Sequence, residues 1–142
     1  MMSRARFLFL LLAVVVPGCG DGLSRVSGVV TLDGQPITGG TNVHGTVNFY
    51  PESGSGVPAA GMIDESGRYT LKSGSRKGLV PGNYLVSVAV NKITLPKTPN
   101  EMPQPTLLTP KRYSSLSESG LRQEVTAGSN TIDLALTSDK KK

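Results

Sequence analysis

The sequence predicts an all-β chain: a seven-stranded antiparallel two-sheet sandwich behind an N-terminal signal peptide. Three observations carry the prediction. From Arg25 onward the apolar residues fall in short runs of period two, with no run of helical periodicity beside them. The runs are punctuated by Gly, Pro, Asp and Asn, and 17 glycines and 10 prolines in 142 residues suit many short strands rather than a few long elements. Before Arg25 lies a segment of a different kind, basic and then apolar.

In that segment Arg4 and Arg6 form a positive n-region, and Phe7 to Val16 is unbroken apolar sequence. The run is shorter than the roughly 20 residues a spanning helix needs and suits the h-region of a secretory signal. Val16-Pro17-Gly18-Cys19 then resembles a bacterial lipobox, in which a small residue precedes a cysteine that is lipidated on its thiol and becomes the new N-terminus. Pro17 departs from the small or hydroxylated residue usual before the glycine. On this reading residues 1–18 are a lipoprotein signal, Cys19 is the lipidation site (a palmitate-type acyl anchor), and 19–23 is a linker. The alternative is an ordinary signal peptide followed by a leftover or buried thiol. Cys19 is the only cysteine, so no internal disulfide staples the exported domain and a core must hold it.

Residues 24–137 form the expected domain, with 138–142 as a basic tail. Val26, Gly28, Val30 and Leu32 share one face of a first strand, and Asp33-Gly34-Gln35-Pro36 turns the chain, Gly34 supplying a left-handed conformation. The glycine-rich 38–45 connection, which holds His44, reads as flexible, and a second strand places Val47 and Phe49 inward before Pro51. A loop from Glu52 to Pro58 precedes a third strand at 59–63. Asp64-Glu65-Ser66-Gly67 reads as a hairpin turn feeding a fourth strand with Tyr69 and Leu71 inward. The strongest strand runs from Tyr84 to about Val90, with Tyr84, Val86, Val88 and Val90 on one face, as a central strand demands. Residues 94–112 carry Pro96, Pro99, Pro103, Pro105 and Pro110 and read as an extended loop unable to pair. Strands at 121–125 and 131–136, joined by Ala127-Gly128-Ser129-Asn130, complete the seven.

The formal net charge of +5 is no nucleic-acid footprint. Arg4 and Arg6 lie in the leader and Lys140, Lys141 and Lys142 in the tail, which accounts for the whole excess. The remaining basic residues are scattered along the sequence, without interleaved stacking aromatics.

Ser27-Gly28-Val29-Val30-Thr31-Leu32-Asp33-Gly34-Gln35-Pro36, Thr46-Val47-Asn48-Phe49-Tyr50-Pro51, Asp64-Glu65-Ser66-Gly67-Arg68-Tyr69-Thr70-Leu71 and Leu79-Val80-Pro81-Gly82-Asn83-Tyr84 together resemble the carboxypeptidase regulatory-like, transthyretin-type sandwich. The combination is similar to small lipoproteins that planctomycete-type bacteria encode in large numbers. Lys111-Arg112-Tyr113, Ser119-Gly120-Leu121 and Gly128-Ser129-Asn130-Thr131-Ile132-Asp133-Leu134 fit the C-terminal half of that pattern, while Asn42-Val43-His44-Gly45 looks like an insertion. The resemblance implies an Ig-like Greek key and a noncatalytic module of the cell envelope; it implies little chemistry.

Residue types point the same way. His44 is the sole histidine, which leaves a Ser/His/Asp triad, the two-His, two-Tyr iron set of intradiol dioxygenases and a zinc site short of ligands. The several His and Arg residues and the tyrosine-containing tail of transthyretin-related hydroxyisourate hydrolases are also missing. Asp64 and Glu65 lack the further acids that calcium wants and read as a turn. Tyr69 and Tyr84 fall on the core face, leaving Tyr50 and Tyr113 as candidates for stacking on a sugar. No catalytic residue, cofactor or metal is therefore expected, and no nucleic-acid partner. The expected partners are the membrane, through lipid on Cys19, and a protein or glycan, and the expected role is a structural or protein-interaction module. A glycan- or peptide-binding module using the Pro-rich 94–112 loop is the alternative.

Overall fold

The computed structural model describes residues 21–139, and Cys19 with the signal segment lies outside them. The described chain forms twelve strand segments: β1 (Arg25–Leu32), β2 (Gln35–Pro36), β3 (Val43–Pro51), β4 (Ala59–Met62), β5 (Arg68–Thr70), β6 (Lys72–Ser73), β7 (Arg76–Lys77), β8 (Gly82–Thr94), β9 (Gln104–Leu107), β10 (Leu121–Val125), β11 (Ser129–Thr131) and β12 (Leu134–Leu136). They build the all-β, two-sheet sandwich that the alternation predicts. One sheet holds β1, β2, β5, β11 and β12; the other holds β3, β4, β6, β7, β8, β9 and β10. Each expected strand is present, the last one broken into β11 and β12.

The inward faces are the ones the period-two pattern selects. Val26, Val30, Leu134 and Leu136 from the first sheet meet Val47, Phe49, Tyr84, Val86, Val88 and Val90 from the second, and all are buried. β8 is central because β3 covers one of its edges from Val43↔Lys92 to Pro51↔Tyr84, and β10 pairs with the start of its other edge. Phe49 bridges the layers, its ring centroid 6.4 Å from that of Tyr69 and 6.0 Å from that of Tyr84, both tilted, within the range where aromatic pairs attract.

Five details depart from the sequence expectation. The 94–112 stretch pairs after all: β9 runs antiparallel to the end of β8, with Pro105 opposite Ile93. The Leu108 amide donates to the Val90 carbonyl at 2.8 Å, so by alternation Pro105 occupies a position whose amide would point away from β8, and its missing donor costs the ladder nothing. Further on, Lys111–Ser114 forms a short 3₁₀ turn with Tyr113 buried. The Asp64–Gly67 turn does not close a hairpin within one sheet; it carries the chain from β4 in the second sheet to β5 in the first. His44 lies within β3, opposite Asn91, rather than in a flexible connection. Finally, β1 pairs in parallel with β11 and β12, so the first and last strands of the domain run side by side in the same direction.

That parallel seam contains the tightest point of the structure. Between β11 and β12 the ladder is interrupted at Ile132-Asp133. The Ile132 amide donates to the Ser27 carbonyl at 2.8 Å, and the Asp133 carboxylate accepts the Val29 amide at 2.8 Å in place of a backbone partner. The Ile132 carbonyl thereby turns over Gly28, where a Cβ would lie 1.8 Å from its oxygen. Tyr69, paired with Gly28 across β5 and β1, passes over the same bare position and donates its hydroxyl to the Ile132 carbonyl at 2.6 Å. Only glycine leaves room for both.

Gly28→Ala is therefore expected to be among the most damaging small substitutions in the chain, costing at least about 2–3 kcal/mol because backbone must move to admit the methyl. Ser27→Ala, one residue away and half-buried, is expected to cost well under half of that. Urea unfolding midpoints of the two variants check the contrast; equal losses would place the close approach elsewhere.

Candidate functional site

The topology sorts the connections into two ends. The chain enters at Asp21, and Ser24 is bridged to Leu79 by a pair of backbone bonds of 2.7 and 3.0 Å. The 52–58 loop, the β6–β7 hairpin, the 78–82 segment and the 126–128 turn share this entry end. β8 starts there at Gly82 and runs 13 residues to Thr94, roughly 40 Å at the rise of an extended strand. At the far end lie the β1–β2 turn, the 37–42 connection, the Asp64 turn and the 95–103 loop.

Far-end turns are fixed by aspartates. Asp33 at φ 51° and Gly34 at φ 82° form the tight link from β1 to β2, a backbone pair that the Asp-Gly dipeptide favours. The Asp33 carboxylate accepts the Ser138 amide at 2.9 Å, which ties the end of the domain to its first turn; hydrogen bonding from the Ser138 side chain, and then from its amide, holds the Asp33 pKa below the ordinary 3.8. One oxygen of Asp64 accepts the Ser66 hydroxyl at 2.6 Å, the Ser66 amide at 2.8 Å and the Arg68 amide at 3.0 Å. These bonds, led by the one from the Ser66 side chain, hold its pKa below 3.8 as well. Its carboxylate is engaged as a turn lock. Among the described residues no three His, Cys, Asp or Glu side chains gather as a metal-holding group.

The four tyrosines separate by role. Burial pushes the Tyr69 phenol up, and the nearby Asp133 carboxylate adds to the shift. Tyr84 is raised by burial and donates its hydroxyl to the Val80 carbonyl at 2.7 Å. Tyr113, expected with Tyr50 as a sugar-stacking candidate, is only 6% exposed. Its ring lies under the Arg112 guanidinium at 4.6 Å, and its oxygen accepts the Thr137 amide at 3.0 Å. Burial raises its pKa, but hydrogen bonds from Thr137 and Arg112 outweigh that and the net shift is downward. It fastens the C-terminal end of β12 and offers no face to a ligand. Tyr50, 38% exposed on the outer face of β3, stands alone.

Three shallow grooves stand out on the surface of the described residues. One of about 520 Å³, walled by Pro51, Val57, Val80, Pro81 and Tyr84, lies at the entry end. Another, about 430 Å³, runs along β4 and β5 past Met62, Asp64, Arg68 and Lys72. The third, about 320 Å³, lies between β1, β7 and β11 and is lined by Arg25, Ser27, Thr70, Lys77, Asn130 and Thr131. At the far end the 95–103 loop displays Leu95 at 62% and Met102 at 76% exposure. The sequence pointed to the Pro-rich loop but not to the grooves, whose walls come from strands distant in the chain.

Compared with protein-family models, curated proteins and solved structures, the chain finds no match in any of the three.

The two aspartate locks set an acid limit on the fold. A carboxylate whose native pKa is lowered contributes stability above its unfolded value, and the contribution is lost as the pH falls through the native value. Thermal midpoints are expected to stay level from neutral pH to about 4 and to drop below it. Asp64→Asn, which keeps an acceptor oxygen without the charge, is expected to make that drop shallower. Circular dichroism melts across the acid range check both; an acid branch identical in the variant would contradict the role given to Asp64.

Proposed function

We propose that this chain is a noncatalytic β-sandwich of the carboxypeptidase regulatory-like type, exported and held at a bacterial cell-envelope membrane by lipid on Cys19, where it serves as a structural or protein-interaction module. The observation that carries the reading is where the chain enters the fold. Asp21, two residues after Cys19 in sequence, is ion-paired to Arg76 at 3.2 Å at one end of the sandwich. An anchor at Cys19 therefore leaves the length of β8 between the lipid and the far-end loops, the arrangement expected of a domain that displays those loops away from a membrane. Retention by lipid follows, since the several acyl chains of a mature bacterial lipoprotein hold firmly where one chain holds marginally.

Cys19→Ser is expected to abolish incorporation of a labelled fatty acid and to move the protein from the detergent phase to the aqueous phase on phase separation. Unchanged labelling or partitioning would refute the anchor.

A ligand-binding role for the far end is the second reading, favoured by the exposed Leu95 and Met102 and by the general rule that long loops in compact domains are kept for function. Leu95→Ser with Met102→Ser is expected to leave the melting temperature unchanged while weakening cross-linking of the protein to its envelope neighbours. His44→Ala, exposed on β3 opposite Asn91 and outside the loop, is expected to change neither. Full cross-linking in the double variant would remove the loop from consideration.

A further inference from the structure

The basic residues that are scattered in sequence converge at the entry end. β6 and β7 form a hairpin whose strands contribute Lys72, Arg76 and Lys77, with Ser73 paired to Arg76. Gly78 follows and lies against the Ser24 carbonyl, while the Ser24–Leu79 bridge fixes the hairpin beside the incoming chain. Arg25 and Lys77 wall the same groove, together with Ser27, Thr70, Asn130 and Thr131, and no acidic side chain lines it. Among the described residues Arg76 has Asp21 as its ion-pair partner, whereas Arg25, Lys72 and Lys77 have no carboxylate within pairing distance. Elsewhere at this end, in the sheet that also holds β6 and β7, Arg122 of β10 and Glu52 neutralise each other at 2.6 Å, and Glu124 lies opposite Asn83. The far end carries both signs, with Asp33, Asp64, Glu65 and Glu101 beside Arg68, Lys92 and Lys97. Around the entering chain, four basic side chains, Arg25, Lys72, Arg76 and Lys77, thus stand against one paired acid, Asp21.

We propose that this entry end, through Arg25, Lys72, Arg76 and Lys77, docks on the anionic headgroups of the membrane that holds the anchor. The proposal rests on lipidation at Cys19. Two peptide units separate Cys19 from Asp21, and a chain of that length reaches at most about 7 Å. An anchored Cys19 therefore holds Asp21, and Arg76 bonded to it, within about one Debye length of the headgroup layer, where each Lys or Arg gains appreciable attraction to anionic lipid. The lipid supplies attachment and the basic end supplies orientation, standing β8 away from the bilayer with the 95–103 loop outermost.

The test uses the full-length chain, produced in a bacterium that acylates lipoproteins and reconstituted in vesicles of phosphatidylcholine alone or with one third phosphatidylglycerol. Amide hydrogen exchange is read by mass spectrometry, and the same digest reports the acyl mass on Cys19. Amides of 72–78 are expected to exchange roughly fivefold more slowly on the anionic vesicles, the contribution of about one engaged basic side chain. The difference should disappear at 1 M salt, where the Debye length is about 3 Å, and in the Arg25→Gln, Lys72→Gln, Lys77→Gln triple variant. Amides of 95–103 should exchange alike on both. An acylated protein with equal 72–78 exchange on the two vesicles, or slowing that survives in the triple variant, overturns the docking and leaves the anchor standing. Slowing reproduced by glycerophosphoglycerol in neutral micelles overturns it in favour of a small-anion groove. Absence of the acyl mass overturns the anchor and the docking together.

Discussion

Everything in this fold hangs on the crossing at Gly28. The first and last strands meet there in parallel, the Ile132 carbonyl is turned over a residue without a side chain, and Tyr69 reaches across to bond that carbonyl at 2.6 Å. The ring of Tyr69 is at the same time in the core against Phe49, whose other neighbour is Tyr84 on β8. One tyrosine therefore couples the parallel seam of one sheet to the central strand of the other. The interruption at Ile132-Asp133 removes regular ladder bonds, but the Asp133 carboxylate takes up the Val29 amide, so no buried donor is left without a partner at that point.

The strands were legible in the sequence because burial on one face leaves a period-two trace. Tyr84, Val86, Val88 and Val90 announced both the central strand and its inward side, and all four are buried. What escaped was set by long-range pairing. Nothing local tells that β1 and β12 run parallel, since their register is decided by the closing of the whole domain. β9 was hidden because five prolines argue against a strand, yet an edge strand needs amides on one side only and Pro105 takes a position on the other. His44 was misplaced by its glycine neighbours, although Gly45 is itself buried within β3 against Ile63. Tyr113 gave no alternating pattern to follow, because a 3₁₀ turn and not a strand carries it inward.

Functional features divided in the same way. Cys19 stands out in sequence because export signals are linear, and it lies outside the described residues. The convergence of Arg25 with Lys72, Arg76 and Lys77 could not be seen in a linear reading, because about fifty residues of intervening strands bring them together. Once the Ser24–Leu79 bridge places the hairpin beside the entering chain, scattered charges become one basic cluster at that end. The proposed anchoring gives the sandwich a direction: basic cluster toward anionic lipid, aspartate-locked turns and the 95–103 loop away from it. A fold with a central strand roughly 40 Å long is well suited to this, since the two ends of β8 are far apart compared with the reach of screened charge.

The most direct measurement of this account is the depth profile of the anchored protein. With paramagnetic lipids carrying the spin label at the headgroup, nuclear resonances of the membrane-bound chain broaden according to their distance from the bilayer. The account predicts strong broadening at Ser73 to Gly78 and at the 52–58 loop, and none at His44 or from Leu95 to Pro103. Broadening spread evenly over both ends, or strongest at the 95–103 loop, would contradict it.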